Sequence, residues 1–101
     1  MPITLDHVAL ASADITPAFD YLVGTLGATP LHGGHGVGFR PMQVLVGHEA
    51  AGMRVELLEP WDAERNDFLA RFVARHTEGP HHLTFKVPDI RAAIERFRTS
   101  G

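Results

Sequence analysis

Three polar side chains, His7, Glu56 and His82, are the residues of this chain best suited to bind a divalent metal ion. Each lies in an apolar run typical of a strand. In such a run an ionised glutamate such as Glu56 is energetically costly unless another group pairs with it. Neutral imidazole is a common metal ligand, and two histidines with one carboxylate suit Fe, Mn, Co, Ni or Zn. We therefore predict that these three residues bind one divalent metal ion of unknown identity.

An internal repeat connects His7 with His82. Each histidine begins a pattern of strand, aspartate turn and amphipathic helix, and the second copy lies 75 residues after the first. Under this offset Asp89 corresponds to Asp14. If a pseudo-twofold axis relates the two copies, their first strands can run side by side and the two histidines can face each other.

Purely structural explanations compete with the metal site. A single strand histidine is more often a hydrogen-bonded structural residue, and Glu56 could face solvent beside Arg54 or pair with an arginine. Strand alternation predicts that His81 points to the opposite face from His82. The remaining histidines are predicted to be solvated, in loops or at a helix end: His32, His35, His48 and His76.

Composition limits the classes of function. The 101 residues form one domain at most, with 45% hydrophobic and 21% charged residues, as in an ordinary globular protein. The net charge of −3, without a Lys/Arg cluster, argues against a nucleic-acid partner, and no apolar run could span a bilayer. The absence of cysteine excludes disulfides and thiolate metal sites. Because no signal peptide is evident, we expect a cytoplasmic protein.

Hydrophobic periodicity predicts an α+β fold with the order β-α-β-β-β, then a connecting helix, then β-α. A helix begins at Thr16-Pro17, with the threonine as cap, and stops at Gly27. The connecting helix is predicted between Asp62 and His76, and Asp89 caps the last helix. The strands are predicted at 3–11, 28–31, 42–46, 53–58 and from 81 onward.

Two apolar helical stripes are predicted to face the core. The stripe of the connecting helix consists of Phe68, Leu69, Phe72 and Val73. The stripe of the last helix consists of Ile90, Ala93, Ile94 and Phe97.

The repeat divides the chain into a first βαβββ module at 1–59, a connecting helix at 60–79 and the start of a second module at 80–101. The second copy stops where its first helix ends, which leaves its sheet without the remaining strands. Either the sequence is a fragment or another chain supplies that half, and the fragment is the favoured interpretation.

Three segments resemble the vicinal oxygen chelate superfamily: Leu5-Asp6-His7-Val8-Ala9-Leu10, Val55-Glu56-Leu57-Leu58-Glu59-Pro60 and the stretch from Gly79 to Ile90. The superfamily includes glyoxalase I, methylmalonyl-CoA epimerase, extradiol dioxygenases and bleomycin-binding proteins. The methylmalonyl-CoA epimerase branch is the most similar, because it has these three motifs in the same order.

The resemblance implies two βαβββ modules that pair into a cupped sheet around one divalent metal. Family ligand positions correspond to His7, Glu56 and His82, and a fourth ligand, a glutamate, would fall beyond residue 101. One position that the epimerases use for a base is Gly34 here, so no catalytic residue is assigned, and His35 is the loop histidine best placed to act as base.

The function that the resemblance implies is that of a metal-dependent isomerase or lyase, which acts next to a carbonyl through a metal-stabilised enolate. The expected partners are a small-molecule substrate and a second copy in a homodimer. The alternative is a metal-free, antibiotic-like small-molecule binding protein of the same fold. An extradiol dioxygenase is disfavoured, since its carboxylate ligand would come from the second module and not from Glu56.

Overall fold

The computed structural model describes residues 2–100 and has the predicted α+β architecture. The elements, in chain order, are β1 (Thr4–Ser12), α1 (Thr16–Asp20) with a π-helical turn (Tyr21–Thr25), β2 (Thr29–Gly33), β3 (Phe39–Val46), β4 (Met53–Pro60), α2 (Phe68–His76), β5 (Glu78–Lys86) and α3 (Ile90–Thr99). Within the described residues, no helix has both the length and the apolar character that a membrane crossing requires.

One five-stranded sheet organises the molecule, in the order β2-β3-β4-β1-β5. The central strand β1 runs parallel to β4 and antiparallel to β5, while β3 pairs antiparallel with β2 and β4. The first strands of the two sequence repeats are therefore neighbours. Ala9 lies between Glu56 on one side and His82 on the other, which fixes where the predicted ligands meet.

Two β-bulges interrupt the pairing of β1 with β5. Leu5 pairs with Phe85 and His7 with Thr84, so Asp6 is an extra residue of β1; Ala9 pairs with His82 and Leu10 with Pro80, so His81 is an extra residue of β5. A bulge breaks the period-2 alternation of side chains. The prediction that His81 points away from His82 is wrong for this reason, because the two imidazoles are in contact.

The core beside the site lies between the sheet and α2. Ala9 and Ala11 of β1, Leu58 of β4 and Leu69 of α2 form one buried cluster, which Phe72 and neighbouring apolar side chains of α2 extend. The predicted stripe of this helix therefore packs in the core. Since alternate residues share a sheet face, His7 and Glu56 lie on the same face as this cluster, further along the strands.

Several predicted element boundaries are wrong. Strands β3 and β5 begin at Phe39 and Glu78, each three residues earlier than predicted. The connecting helix begins at Phe68 and not at Asp62, because Asp62 has a φ of 53° and accepts a turn hydrogen bond from the Arg65 N–H at 3.1 Å. Strand β2 continues to Gly33, so His32 belongs to a strand and not to a loop, although it is exposed as predicted.

The first helix starts differently from the prediction. Ile15 occupies the N-cap position, and Asp14 Oδ1 accepts from the Thr16 N–H at 2.9 Å, so Thr16 is not the cap. Pro17 lies in the first turn as expected, and Gly27, with a φ of 74°, follows the helical segment as its predicted stop.

The last helix is capped as predicted but packs differently. Asp89 Oδ1 accepts from the backbone N–H groups of Arg91 and Ala92 at 3.0 and 3.1 Å. Of the stripe predicted to face inward, only Ala93 is buried; Ile90, Ile94 and Phe97 are 64%, 46% and 73% exposed. The periodicity is that of an amphipathic helix, but within residues 2–100 nothing covers most of its apolar side.

The Asp89 cap gives the first testable prediction. Asp89→Ala should reduce the free energy of opening of α3 by about 1 kcal/mol, because two backbone N–H groups lose their acceptor. Amide hydrogen exchange of the α3 residues measures this change.

Asp67→Ala is the matched control, since Asp67 holds the N-cap position of α2 but makes no side-chain cap hydrogen bond. Asp67→Ala should reduce the free energy of opening of α2 by a smaller amount, because the substitution removes only an exposed ion pair with Arg71. Equal losses in the two variants would contradict the assigned role of the cap.

Candidate metal centre

The sheet brings together all three residues predicted to bind a metal. His7 comes from β1, Glu56 from β4 and His82 from β5, and one potential ligand atom from each lies within 4.8 Å of the others. The rings of His7 and His82 are 5.9 Å apart, centroid to centroid, and meet edge to face. This is the only such cluster of His, Asp and Glu within residues 2–100.

His7 and Glu56 form the more enclosed side of the cluster. Their side chains are 11% and 16% exposed, and His7 Nε2 lies 3.6 Å from Glu56 Oε1. The second carboxylate oxygen, Oε2, accepts from Gln43 Nε2 at 3.0 Å. Glu56 is therefore neither a solvated neighbour of Arg54 nor the partner of an arginine.

Gln43 is a residue of this site that no sequence pattern predicted. It is 9% exposed, the only buried polar residue within the described range, and it lies opposite Glu56 in the β3–β4 ladder. Its amide fixes one carboxylate oxygen and leaves the other directed at His7. The only signal in the sequence was a polar residue inside the apolar run 42–46, which by itself does not indicate a partner.

Asp6 contacts both His7 and Lys86. Its Oδ2 lies 2.7 Å from His7 Nδ1, and its Oδ1 lies 3.3 Å from Lys86 Nζ. The hydrogen bond with His7 has the largest effect on the pKa of Asp6 and lowers it; burial opposes this effect, and the interactions with Lys86 lower the pKa further, so that it lies below its ordinary value. An ionised carboxylate only accepts, so His7 donates from Nδ1, and its neutral ring has a lone pair at Nε2.

This arrangement fits a cation. The lone pair of His7 Nε2 and the Oε1 atom of Glu56 face each other, and both are acceptors. Two acceptors at 3.6 Å repel each other unless a proton or a metal ion lies between them. Two imidazoles and one carboxylate form a set that borderline divalent metals accept.

His82 lies on the exposed side of the cluster, against His81. The Nδ1 atoms of the two rings are 2.8 Å apart, so one donates to the other. The His81 ring also packs edge-on against Phe72, with a centroid distance of 4.8 Å. Burial, together with repulsion from His82 when that ring is charged, lowers the pKa of His81.

The other histidines are not part of the cluster. His35, the loop candidate for a base, packs against Trp61 at 5.7 Å and is exposed, and His76 packs on Phe72 at 4.7 Å. His48 is exposed in the turn between β3 and β4.

Solved structures with the same fold include methylmalonyl-CoA epimerases. The Mycobacterium tuberculosis enzyme is 28% identical with a TM-score of 0.83, over 97% of this chain and 64% of its own length. A hypothetical protein from Bacillus halodurans is 26% identical with a TM-score of 0.84, over 100% of this chain and 70% of its own. A Streptomyces coelicolor methylmalonyl-CoA epimerase in complex with 2-nitronate-propionyl-CoA, 24% identical over 99% of this chain and 74% of its own, shares the fold with a TM-score of 0.81.

The present chain thus spans about two thirds of the length of these structures. No curated protein matches it by sequence. A family model described as the Glyoxalase/Bleomycin resistance protein/Dioxygenase superfamily matches residues 6–101, which is nearly the whole chain. With this match and the shared fold, the chain belongs to the Glyoxalase/Bleomycin resistance protein/Dioxygenase superfamily.

Proposed function

We propose that this protein is a divalent-metal-dependent isomerase of the epimerase type, which acts on a carbon next to a carbonyl. The observation that carries the proposal is the convergence of His7, Glu56 and His82, whose potential ligand atoms lie within 4.8 Å of one another. The similarity to methylmalonyl-CoA epimerases supports the choice of reaction. The lyase reaction of glyoxalases, which the same resemblance allowed, has no comparable support among these structures.

The residues of the site have separate roles in this proposal. His7 and His82 bind the metal through imidazole nitrogen and Glu56 binds it through Oε1, while Gln43 holds the other oxygen of Glu56. When bound, the metal supplies Lewis acidity that stabilises negative charge on the carbonyl oxygen as the neighbouring proton is removed. The single carboxylate of this site would neutralise only one of the two positive charges of a divalent ion. The remaining positive charge would attract an anionic substrate.

The proposed substrate is a small carbonyl compound, and the similar structures favour an acyl thioester of coenzyme A. The two-module division at 1–59 and 80–101, the homodimer and the cytoplasmic location stay predictions.

Metal binding gives the first test of this function. The chain should bind one equivalent of Co²⁺, and the visible absorption of the ion should change on binding. At a hundredfold excess of free ion over the dissociation constant, binding adds about 2.7 kcal/mol to the free energy of unfolding. For a chain of this size, that free energy corresponds to a rise in Tm on the order of 10 °C.

His82→Ala should abolish both effects with the fold retained, because His82 is an exposed strand residue. His48→Ala, which removes an exposed histidine outside the cluster, should behave as the wild type. A wild-type chain that binds neither Co²⁺ nor Zn²⁺ would contradict the proposal and favour the metal-free binding protein.

Hydrogen exchange gives a test of the reaction itself. In D₂O, the Co²⁺-loaded chain should exchange the proton at C2 of methylmalonyl-CoA for deuterium, which ¹H NMR follows as loss of that signal. Glu56→Ala should slow the exchange at least tenfold, whereas Glu64→Ala, an exposed glutamate of the loop before α2, should not. Binding of Co²⁺ without any exchange above the rate of the free ion would exclude the epimerase reaction on this substrate.

A further inference from the structure

We infer that Asp6 and His81 are a matched pair of positioning residues, which direct Nε2 of His7 and of His82 toward the proposed metal. The inference rests on the proposed function, because it assigns roles to residues behind the ligands of that site. It concerns the two residues that immediately precede His7 and His82 in the sequence. Each lies at a bulge of the β1–β5 ladder and touches the imidazole that follows it.

The bulges make these contacts possible. In a regular strand, neighbouring side chains point to opposite faces, so a residue does not reach the ring that follows it. Asp6 and His81 are the extra residues of β1 and β5, and the break in alternation lets each turn to its neighbour. The resulting distances are 2.7 Å from Asp6 Oδ2 to His7 Nδ1 and 2.8 Å between the Nδ1 atoms of His81 and His82.

For His7, the contact selects one tautomer. The Asp6 carboxylate accepts the proton of Nδ1, so the neutral ring has its lone pair at Nε2, the nitrogen that faces Glu56. Lys86 contacts the other oxygen of Asp6 at 3.3 Å and so limits rotation of the carboxylate. A carboxylate behind a ligating histidine fixes the ring and raises the basicity of the ligand nitrogen.

For His82, the contact with His81 engages Nδ1 and leaves Nε2 as the ring nitrogen that can face the proposed metal. We assign His81 Nδ1 as the acceptor of this hydrogen bond, so that His82 donates from Nδ1 and has its lone pair at Nε2. His81 is held by its ring contacts with Phe68 and Phe72, at centroid distances of 6.0 and 4.8 Å. Its Nδ1 is thereby kept at a fixed place behind His82.

The sequence repeat supports a common role. The offset of 75 residues that relates His7 to His82 also relates Asp6 to His81. The two repeats thus have different acceptors at one equivalent position. A carboxylate with a lysine partner lies behind the more buried ligand, His7, and an imidazole packed on two phenylalanines lies behind the exposed one, His82.

A purely structural role is the competing explanation. Asp6 could serve only as the ion-pair partner of Lys86, and His81 only as a ring that packs on α2. Either role would change stability when the residue is replaced, but neither would change the tautomer of the histidine that follows. The tautomer in the metal-free protein is therefore the decisive measurement.

The experiment records long-range ¹H–¹⁵N correlations of the histidine rings in the metal-free chain at pH 8, which identify the protonated nitrogen of each ring. In the wild type, His7 and His82 should both be protonated at Nδ1. Asp6→Ala should shift His7 toward the Nε2-protonated form, and Asp6→Asn, whose amide oxygen can still accept, should partly restore the wild-type spectrum. Asp20→Ala removes an exposed aspartate of α1 and should leave His7 unchanged.

His81→Phe tests the second half of the pair, because it retains a ring against Phe72 and removes the acceptor. His82 should then lose its preference for the Nδ1 proton. His76→Phe is the matched control, since His76 also packs on Phe72, at 4.7 Å, but is not in contact with His82 through Nδ1.

Zn²⁺ titration calorimetry then connects the tautomers with binding. Asp6→Ala and His81→Phe should each weaken Zn²⁺ binding by about 10- to 100-fold, with the two controls within about twofold of the wild type. Nε2-protonated His7 or His82 in the wild type, or tautomers unchanged in the two variants, would overturn the inference. A wild type with the expected tautomers that binds no Zn²⁺ would overturn the proposed function instead, and with it the metal-directed purpose of this pair.

Discussion

The antiparallel pairing of β1 with β5 is the constraint on which the rest of the site depends. It joins two strands whose histidines are 75 residues apart in sequence and places the His7 and His82 rings 5.9 Å from each other. The pairing is irregular at two points. The extra residue is Asp6 at the first point and His81 at the second, and each directly precedes one of the two histidines. A continuous ladder would keep the two histidines on neighbouring strands but would turn Asp6 and His81 away from them.

The parallel pairing of β1 with β4 adds the carboxylate. Ala9, fully buried, lies opposite Glu56 on one neighbouring strand and opposite His82 on the other, so it sets the positions of these two polar residues on the sheet. Glu56 is then enclosed beside His7 and held by Gln43, so the energetic cost of its burial is offset in part by a hydrogen bond on Oε2, while Oε1 faces His7 Nε2 at 3.6 Å. The proposed metal site and the local packing therefore depend on the same few contacts.

The second helix, α2, packs on the sheet beside the three predicted ligands. Its buried Leu69 packs on Ala9, Ala11 and Leu58, and its Phe72 contacts the ring of His81. The core of the domain is thus continuous with the residues behind His82. The third helix has a different environment, with most of its apolar side exposed within residues 2–100 although its cap is well formed.

The sequence by itself determined the fold class, the order of the elements and the three residues that meet on the sheet. Hydrophobic periodicity predicted the elements, the offset of 75 residues predicted the two histidines, and a carboxylate inside an apolar strand run predicted Glu56. These signals can be read from the sequence because each depends only on residue types and their spacing. The start of α2 was missed because an apolar helical stripe does not reveal the positive φ at Asp62.

Only the tertiary structure decided the direction of His81, the pairing of Gln43 with Glu56 and the exposure of Ile90 and Phe97. Bulges and cross-strand partners depend on which strands become neighbours and in what register. A period-2 pattern read along a single strand contains no information about that register, which is set when the strands pair.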